Sequence, residues 1–144
     1  MQFVVSDIHN DNLKLRRLLQ TISFTSEDHL TLLGDLFDRG GENADPVGVY
    51  FTVLGLGNRC TIIRGNHDQW LAEYIDFYFS LPEKKRLRCE PYQYNSFDLM
   101  QKRLPAVDMQ ELSARIKNCP LQAALKIGQA SYLFAHAQAS SPNQ

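Results

Sequence analysis

The sequence predicts an α/β fold: a mainly parallel β-sheet core flanked by helices, with a helical insertion and an incomplete second sheet. Three observations predict it. Short apolar segments recur at Phe3-Val4-Val5, Leu30-Thr31-Leu32-Leu33 and Thr61-Ile62-Ile63, and each runs into a polar loop bearing Gly or Asp, which reads as a buried strand ending in a loop. Two stretches of helical periodicity separate them. Leu15, Leu18, Leu19 and Ile22 repeat at i, i+3, i+4, i+7, and Val47, Tyr50, Phe51 and Leu54 do the same behind Pro46, which suits a first helical turn. The β-α-β-α-β order, with crossovers this long, fits parallel strands. The third observation is Leu121 to Ile127 and Ser131 to Ala135, two strand-like runs joined at Gly128-Gln129 as a hairpin.

From about His67 to Asn118 the sequence reads as helical, with Trp70, Leu71, Tyr74 and Phe77 marking one face and Leu112 with Ile116 a later one. The whole of 1–144 therefore reads as a single domain with a helical insertion at about 70–118. Composition agrees with a globular chain, at 44% hydrophobic and 22% charged residues. The net charge of −1 gives no electrostatic reason for a nucleic-acid partner, and no apolar run suits a membrane span. An N-terminus without a basic start and apolar stretch, and three cysteines (Cys60, Cys89, Cys119) with no close pair, fit reduced thiols and a cytoplasmic location.

The chemistry sits where the strands end. Asp7-Ile8-His9 follows the first, Gly34-Asp35-Leu36-Phe37-Asp38-Arg39-Gly40 the second, and Arg64-Gly65-Asn66-His67-Asp68 the third; His136 follows the last. Loops beyond the carboxyl ends of parallel strands share one edge, so these clusters are expected to meet in space. Carboxylate, imidazole and amide oxygen together suit divalent Mn, Fe or Zn. Two such ions need a bridging carboxylate. Asp35 is the candidate, with Asp7 and His9 holding one ion and Asn66 and His136 the other. Arg39 and Arg64 stand beside these ligands, and guanidinium suits a phosphoryl group. His67 can protonate a leaving oxygen, with Asp38 fixing its tautomer.

These motifs resemble those of the metallophosphoesterases, and within them the phosphoprotein phosphatase family in its bacterial and phage branch. Ser6-Asp7-Ile8-His9-Asn10 is similar to the family's G-D-x-H-G, Gly34 to Gly40 to G-D-x-x-D-R-G, Gly65 to Asp68 to G-N-H-[DE], and Leu133 to Ala137 to its fourth, histidine-bearing strand end. Four motifs in order at strand ends are a specific signal. The resemblance implies a calcineurin-like, metal-dependent phosphoric monoester hydrolase. It assigns Asp7, His9, Asp35, Asn66 and His136 to metal, Arg39 and Arg64 to phosphate, and His67 with Asp38 to acid catalysis. It implies two divalent cations, manganese foremost. The second is expected to be weakly held, because the family's further histidine has no counterpart after His136.

Asp38 favours a serine/threonine protein phosphatase, since the family's dinucleotide-polyphosphate hydrolases typically lack an acid there. The expected substrate is a phosphorylated protein or a small phosphoester. The alternatives are a diadenosine-polyphosphate hydrolase and a truncated, weakly active or inactive remnant that self-associates through an exposed sheet edge. Other residues read as structural: His29 as a turn former, Asp68 as a helix cap, Lys84 to Arg88 as a solvated face, and Trp70 to Phe79 as core or subunit interface.

Overall fold

A computed structural model describes residues 1–136. The expected parallel sheet is present, with order β1 (Gln2–Val5), β2 (His29–Leu32), β3 (Cys60–Ile62). Phe3 pairs with Leu30, and Leu32 with both Val5 and Ile62, which puts all three carboxyl ends at one edge. β2 is central, and its Leu30 and Leu32 are fully buried. His29, expected as a turn former, instead begins β2 and bonds through Nε2 to Thr61 Oγ1 on β3 (2.7 Å), because it pairs with Gln2 in the ladder.

The crossovers are α1 (Asn12–Thr21) and α2 (Pro46–Leu56). Each begins at an aspartate whose carboxylate accepts from an amide left free by the first turn: Asp11 from Lys14 (3.0 Å) and Asp45 from Gly48 (2.9 Å). The face of α2 departs from its apparent periodicity. Val47, Val49 and Tyr50 are buried, whereas Phe51 is 53% exposed. The helix, PVGVYFTVLGL, is apolar on nearly every side, so spacing alone does not select the buried face.

The chain between β3 and the hairpin holds α3 (Asn66–Ser80), α4 (Glu83–Arg86), α5 (Ser96–Gln101) and α6 (Ala106–Asn118). It is not helical throughout. Between α4 and α5 the chain runs through Pro91-Tyr92-Gln93-Tyr94-Asn95, a segment without helical spacing of apolar residues. The buried face of α3 is Leu71, Ala72 and Ile75, against Met109, Leu112 and Ile116 of α6. Ser113 Oγ ties the pair together, donating to Asp76 Oδ1 (2.6 Å) and the Ala72 carbonyl (3.2 Å). Trp70 and Phe77, expected on the buried face, are 41% and 46% exposed. Most of the basic run 84–88 is solvent-exposed, as expected.

The hairpin is β4 (Gln122–Ile127) with β5 (Ala130–Ala135), an antiparallel two-stranded second sheet. Its turn is Gly128-Gln129, and Gly128 takes the positive φ of 64° that such a short loop needs. Among the described residues, no helix is long and apolar enough to cross a membrane.

Candidate metal and phosphate site

The loops after β1 and β2 run side by side, with the His9 amide donating to the Asp35 carbonyl (2.9 Å) and the Asn10 amide to the Leu36 carbonyl (2.8 Å). This pairing forces unusual backbone. Asp7, His9, Asn10, Asp35, Asp38 and Arg39 all have positive φ, between 45° and 69°; among the described residues only Ser23 shares this without being Gly. Such conformations cost about 1–3 kcal/mol each and cluster where side chains must be aimed. Asn10 stands where the resembling motif has Gly, and does more than tolerate the conformation. Its buried amide donates to the Arg39 carbonyl (3.1 Å) and to Ser96 Oγ (3.0 Å), joining the loop to α5.

The third loop packs on the second through two glycines. A Cβ at Gly34 would lie 2.8 Å from Gly65 Cα and 3.0 Å from His136 Cβ, and one at Gly65 would collide with the amide and carboxylate of Asp35. Asp68 locks the contact from beneath. Its carboxylate accepts from the amides of Gly65 (3.0 Å), Asp35 (2.9 Å) and Leu36 (2.9 Å), with Phe37 at 3.4 Å. Burial pushes its carboxyl up to about 6, against the lowering effect of these amides. It caps α3, as expected, and also holds the β2 loop.

Three of the other four expected ligands, His9, Asn66 and His136, converge directly on Asp35, which sits in the middle of the group. His136 Nε2 is 3.0 Å and His9 Nε2 3.8 Å from Asp35 Oδ2, and the Asn66 amide group lies against both the Asp35 carboxylate and His136. Asp7 joins through His136, with Oδ1 3.7 Å from its Nδ1. Ligand atoms of Asp7, Asp35 and His136 all fall within 4.8 Å of one another.

The donor chemistry fits a cation. His9 Nδ1 lies 3.2 Å from the carbonyls of Phe37 and Asp38, and His136 Nδ1 lies 2.8 Å from that of Leu33. Protons on those nitrogens leave both Nε2 lone pairs facing Asp35, acceptors aimed at an acceptor. The Asn66 oxygen also turns inward, 3.0 Å from His136 Nε2. Rotated, its nitrogen would donate to Asp35 Oδ1 (3.1 Å) and to His136.

His67 and Asp38 are paired as expected, Nδ1 to Oδ2 at 3.0 Å, with both side chains almost wholly buried. The same Oδ2 accepts from the Tyr92 hydroxyl (2.5 Å), and the Asp38 amide donates to Ser96 Oγ (2.7 Å). Burial and this carboxylate push the Tyr92 phenol well up from its ordinary value. Tyr92, Asn95 and Ser96 were not legible as site residues, because their segment matches no motif. The one signal was a run of aromatic and amide residues that breaks the helical pattern. Tyr92→Phe removes a hydrogen bond to a carboxylate, and a loss of about 1.5–3 kcal/mol in stability is expected from urea unfolding. An unchanged midpoint would mean that Asp38 does not depend on this donor.

The two arginines part company. Arg39 is exposed at the end of the β2 loop, where Asn10 and Asn95 donate to its carbonyl. Arg64 is held by the first turns of α3. Its Nη1 donates to Gln69 (2.7 Å), its Nε is buried without a hydrogen-bond partner among the described residues, and it lines a cavity of about 510 Å³ that none of the expected ligands borders.

Comparison with known proteins agrees with this geometry. Residues 3–140 match the family model for calcineurin-like phosphoesterases. The chain belongs to that family. Among curated relatives, the symmetrical bis(5'-nucleosyl)-tetraphosphatase of Tolumonas auensis is 34% identical over 122 residues, covering 84% of this chain and 38% of the relative. The enzyme of the same name from Pectobacterium carotovorum is 39% identical over 85 residues, covering 58% and 29%. The chain thus spans well under half the length of the curated relatives it matches. Two solved structures share the fold. A hypothetical protein from Pyrococcus horikoshii aligns over 92% of this chain and 54% of its own (TM-score 0.52, 16% identity). A serine/threonine phosphatase from Saccharomyces cerevisiae aligns over 85% and 37% (TM-score 0.52, 14% identity). Calcineurin-like phosphoesterases use divalent metals, and the Asp7–Asp35–His136 group is suited to one.

Proposed function

We propose that this phosphoesterase hydrolyses bis(5'-nucleosyl) tetraphosphates, releasing two nucleoside diphosphates. The observation that carries the substrate is the likeness to symmetrical bis(5'-nucleosyl)-tetraphosphatases over 84% of the chain. In this reading Asp7, His9, Asp35, Asn66 and His136 hold divalent cations. When bound, these supply Lewis-acid polarisation of the phosphoryl group and acidify water.

The protein's own part is orientation and proton transfer. Water adds to phosphorus as the phosphoanhydride bond breaks, and the departing oxygen takes a proton from His67 Nε2. Asp38 holds the opposite nitrogen, Nδ1, at 3.0 Å and so keeps the imidazole in one orientation. Arg39, exposed at the rim, offers a guanidinium to a non-bridging phosphate oxygen. Arg64, held through Nη1 by Gln69, is the second guanidinium that the resemblance offers to phosphate.

The test is hydrolysis of diadenosine tetraphosphate by the purified chain with excess Mn²⁺, with products separated and bound metal counted. ADP as the sole nucleotide product is expected. The second reading, a protein phosphatase, rests on the retained Asp38–His67 pair. It is favoured if a phosphoserine peptide is turned over faster. A binding remnant is favoured if neither substrate nor p-nitrophenyl phosphate reacts and at most one ion is bound.

A further inference from the structure

A large aromatic surface stands beside the proton-transfer pair. Trp70, on the outward side of α3, is 41% exposed, although burying its indole would stabilise the fold. Its ring is nearly parallel to that of Tyr94, at 4° with centroids 5.9 Å apart. Both rings meet the His67 imidazole edge-on, at 4.9 and 4.6 Å. The two aromatics therefore form a platform that begins at the candidate acid and lines a groove that none of the expected metal ligands borders.

The platform is one wall of a groove of about 610 Å³, with Tyr74, Tyr92, Glu73 and Glu90 among its other walls. Tyr92 is fixed to Asp38, so the groove and the His67–Asp38 pair share a support. The described residues lining it include no Lys or Arg, whereas both glutamates are exposed. Such a surface repels polyphosphate. It suits a flat, uncharged ring system with N–H donors at its edge: aromatic faces stack, and the carboxylates accept.

We infer that Trp70 and Tyr94 form a nucleobase subsite, taking the purine of the nucleoside diphosphate that leaves from the His67 side. The inference rests on the reading of the substrate as a dinucleoside polyphosphate. Diphosphate and ribose span from the reacting phosphorus to the platform, and the glutamates face the amino edge of the base. Trp70 and Tyr94 are then specificity-determining residues, not catalytic ones. The carboxylates set against phosphate steer the chain of phosphates back to the cation-binding end.

The chain contains a single tryptophan, so its fluorescence reports this site alone. The experiment titrates the protein, in EDTA, with ADP and separately with base-free tripolyphosphate. Saturable quenching by ADP and none by tripolyphosphate is expected; equal responses, or no response to ADP, overturn the subsite. The second arm compares kcat/KM for diadenosine tetraphosphate with that for tripolyphosphate in the Mn²⁺-loaded protein. Trp70→Ala should lower this ratio about 10-fold, mainly through KM, and Trp70→Phe should restore most of it. An unchanged ratio in Trp70→Ala, or an equal loss in Trp70→Phe, overturns the inference. The fluorescence arm needs no turnover. If ADP quenches but diadenosine tetraphosphate is not hydrolysed, the substrate reading fails while the base subsite stands.

Discussion

His67→Asn is expected to lower kcat on diadenosine tetraphosphate by about 10²–10⁴-fold, the usual contribution of a positioned general acid. Bound metal should stay as in the parent, because His67 faces Asp38, Trp70 and Tyr94 as well as His9. Asn is chosen because its amide can still donate towards Asp38, which sits fully buried and already has one oxygen, Oδ1, without a hydrogen-bond partner among the described residues. Asp35→Ala should behave in the opposite sense. It removes the carboxylate on which His9, His136 and Asn66 converge, so metal content falls first and activity follows. Elemental analysis beside steady-state kinetics separates the two. The leaving group gives a second handle: His67→Asn should lose much less activity on p-nitrophenyl phosphate, whose p-nitrophenolate departs without protonation, than on phenyl phosphate, whose phenolate is far more basic. Equal metal loss in both variants, or equal damage on both substrates, would remove the division of labour between acid and ligands.

Much of this was legible in the sequence, for a physical reason. A parallel sheet forces its strands' carboxyl ends to one edge, so Asp and His repeated after three apolar segments had to meet there. Asp35 at the middle, and the pairing of Asp38 with His67, followed from that constraint and from the resemblance. What escaped depends on contacts that local sequence does not encode. The face of α2 was ambiguous because that helix is apolar around most of its circumference, and on α3 the aromatics fall on more than one side, so Trp70 read as core or subunit interface. The hydrogen bond from Arg64 to Gln69, one turn into α3, is likewise not encoded in the motif. Tyr92, Asn95 and Ser96 reach Asp38, Arg39 and Asn10 from more than fifty residues away, and no spacing rule joins such distant segments. The expectation that nothing after His136 supplies a further ligand lies on residues 137–144, outside the described part of the chain.

Asp68 is the residue whose loss should cost the fold most. As a helix cap alone it would be worth about 1 kcal/mol. Its two oxygens, however, serve the amides of Gly65, Asp35 and Leu36, all in a buried environment. Asp68→Ala leaves those donors without partners, at about 1–3 kcal/mol each, so a loss near 4 kcal/mol is expected. In a chain of this length that lowers the Tm by roughly 10 °C or more. Asp68→Asn should not rescue it, since the amide keeps one acceptor oxygen and turns an NH₂ towards amides that already donate. The control is Asp45→Ala. Asp45 caps α2 through Gly48, is half-buried, and its ion pair with Arg103 is solvent-exposed, so about 1 kcal/mol is expected there. The difference between the two variants measures what Asp68 adds by tying the β2 loop to the start of α3. Because that tie sets Asp35 against Gly65, Asp68→Asn should also weaken metal binding below its melting range. Similar melting shifts for Asp45→Ala and Asp68→Ala would reduce Asp68 to an ordinary cap and leave the approach of the two loops to the glycines alone.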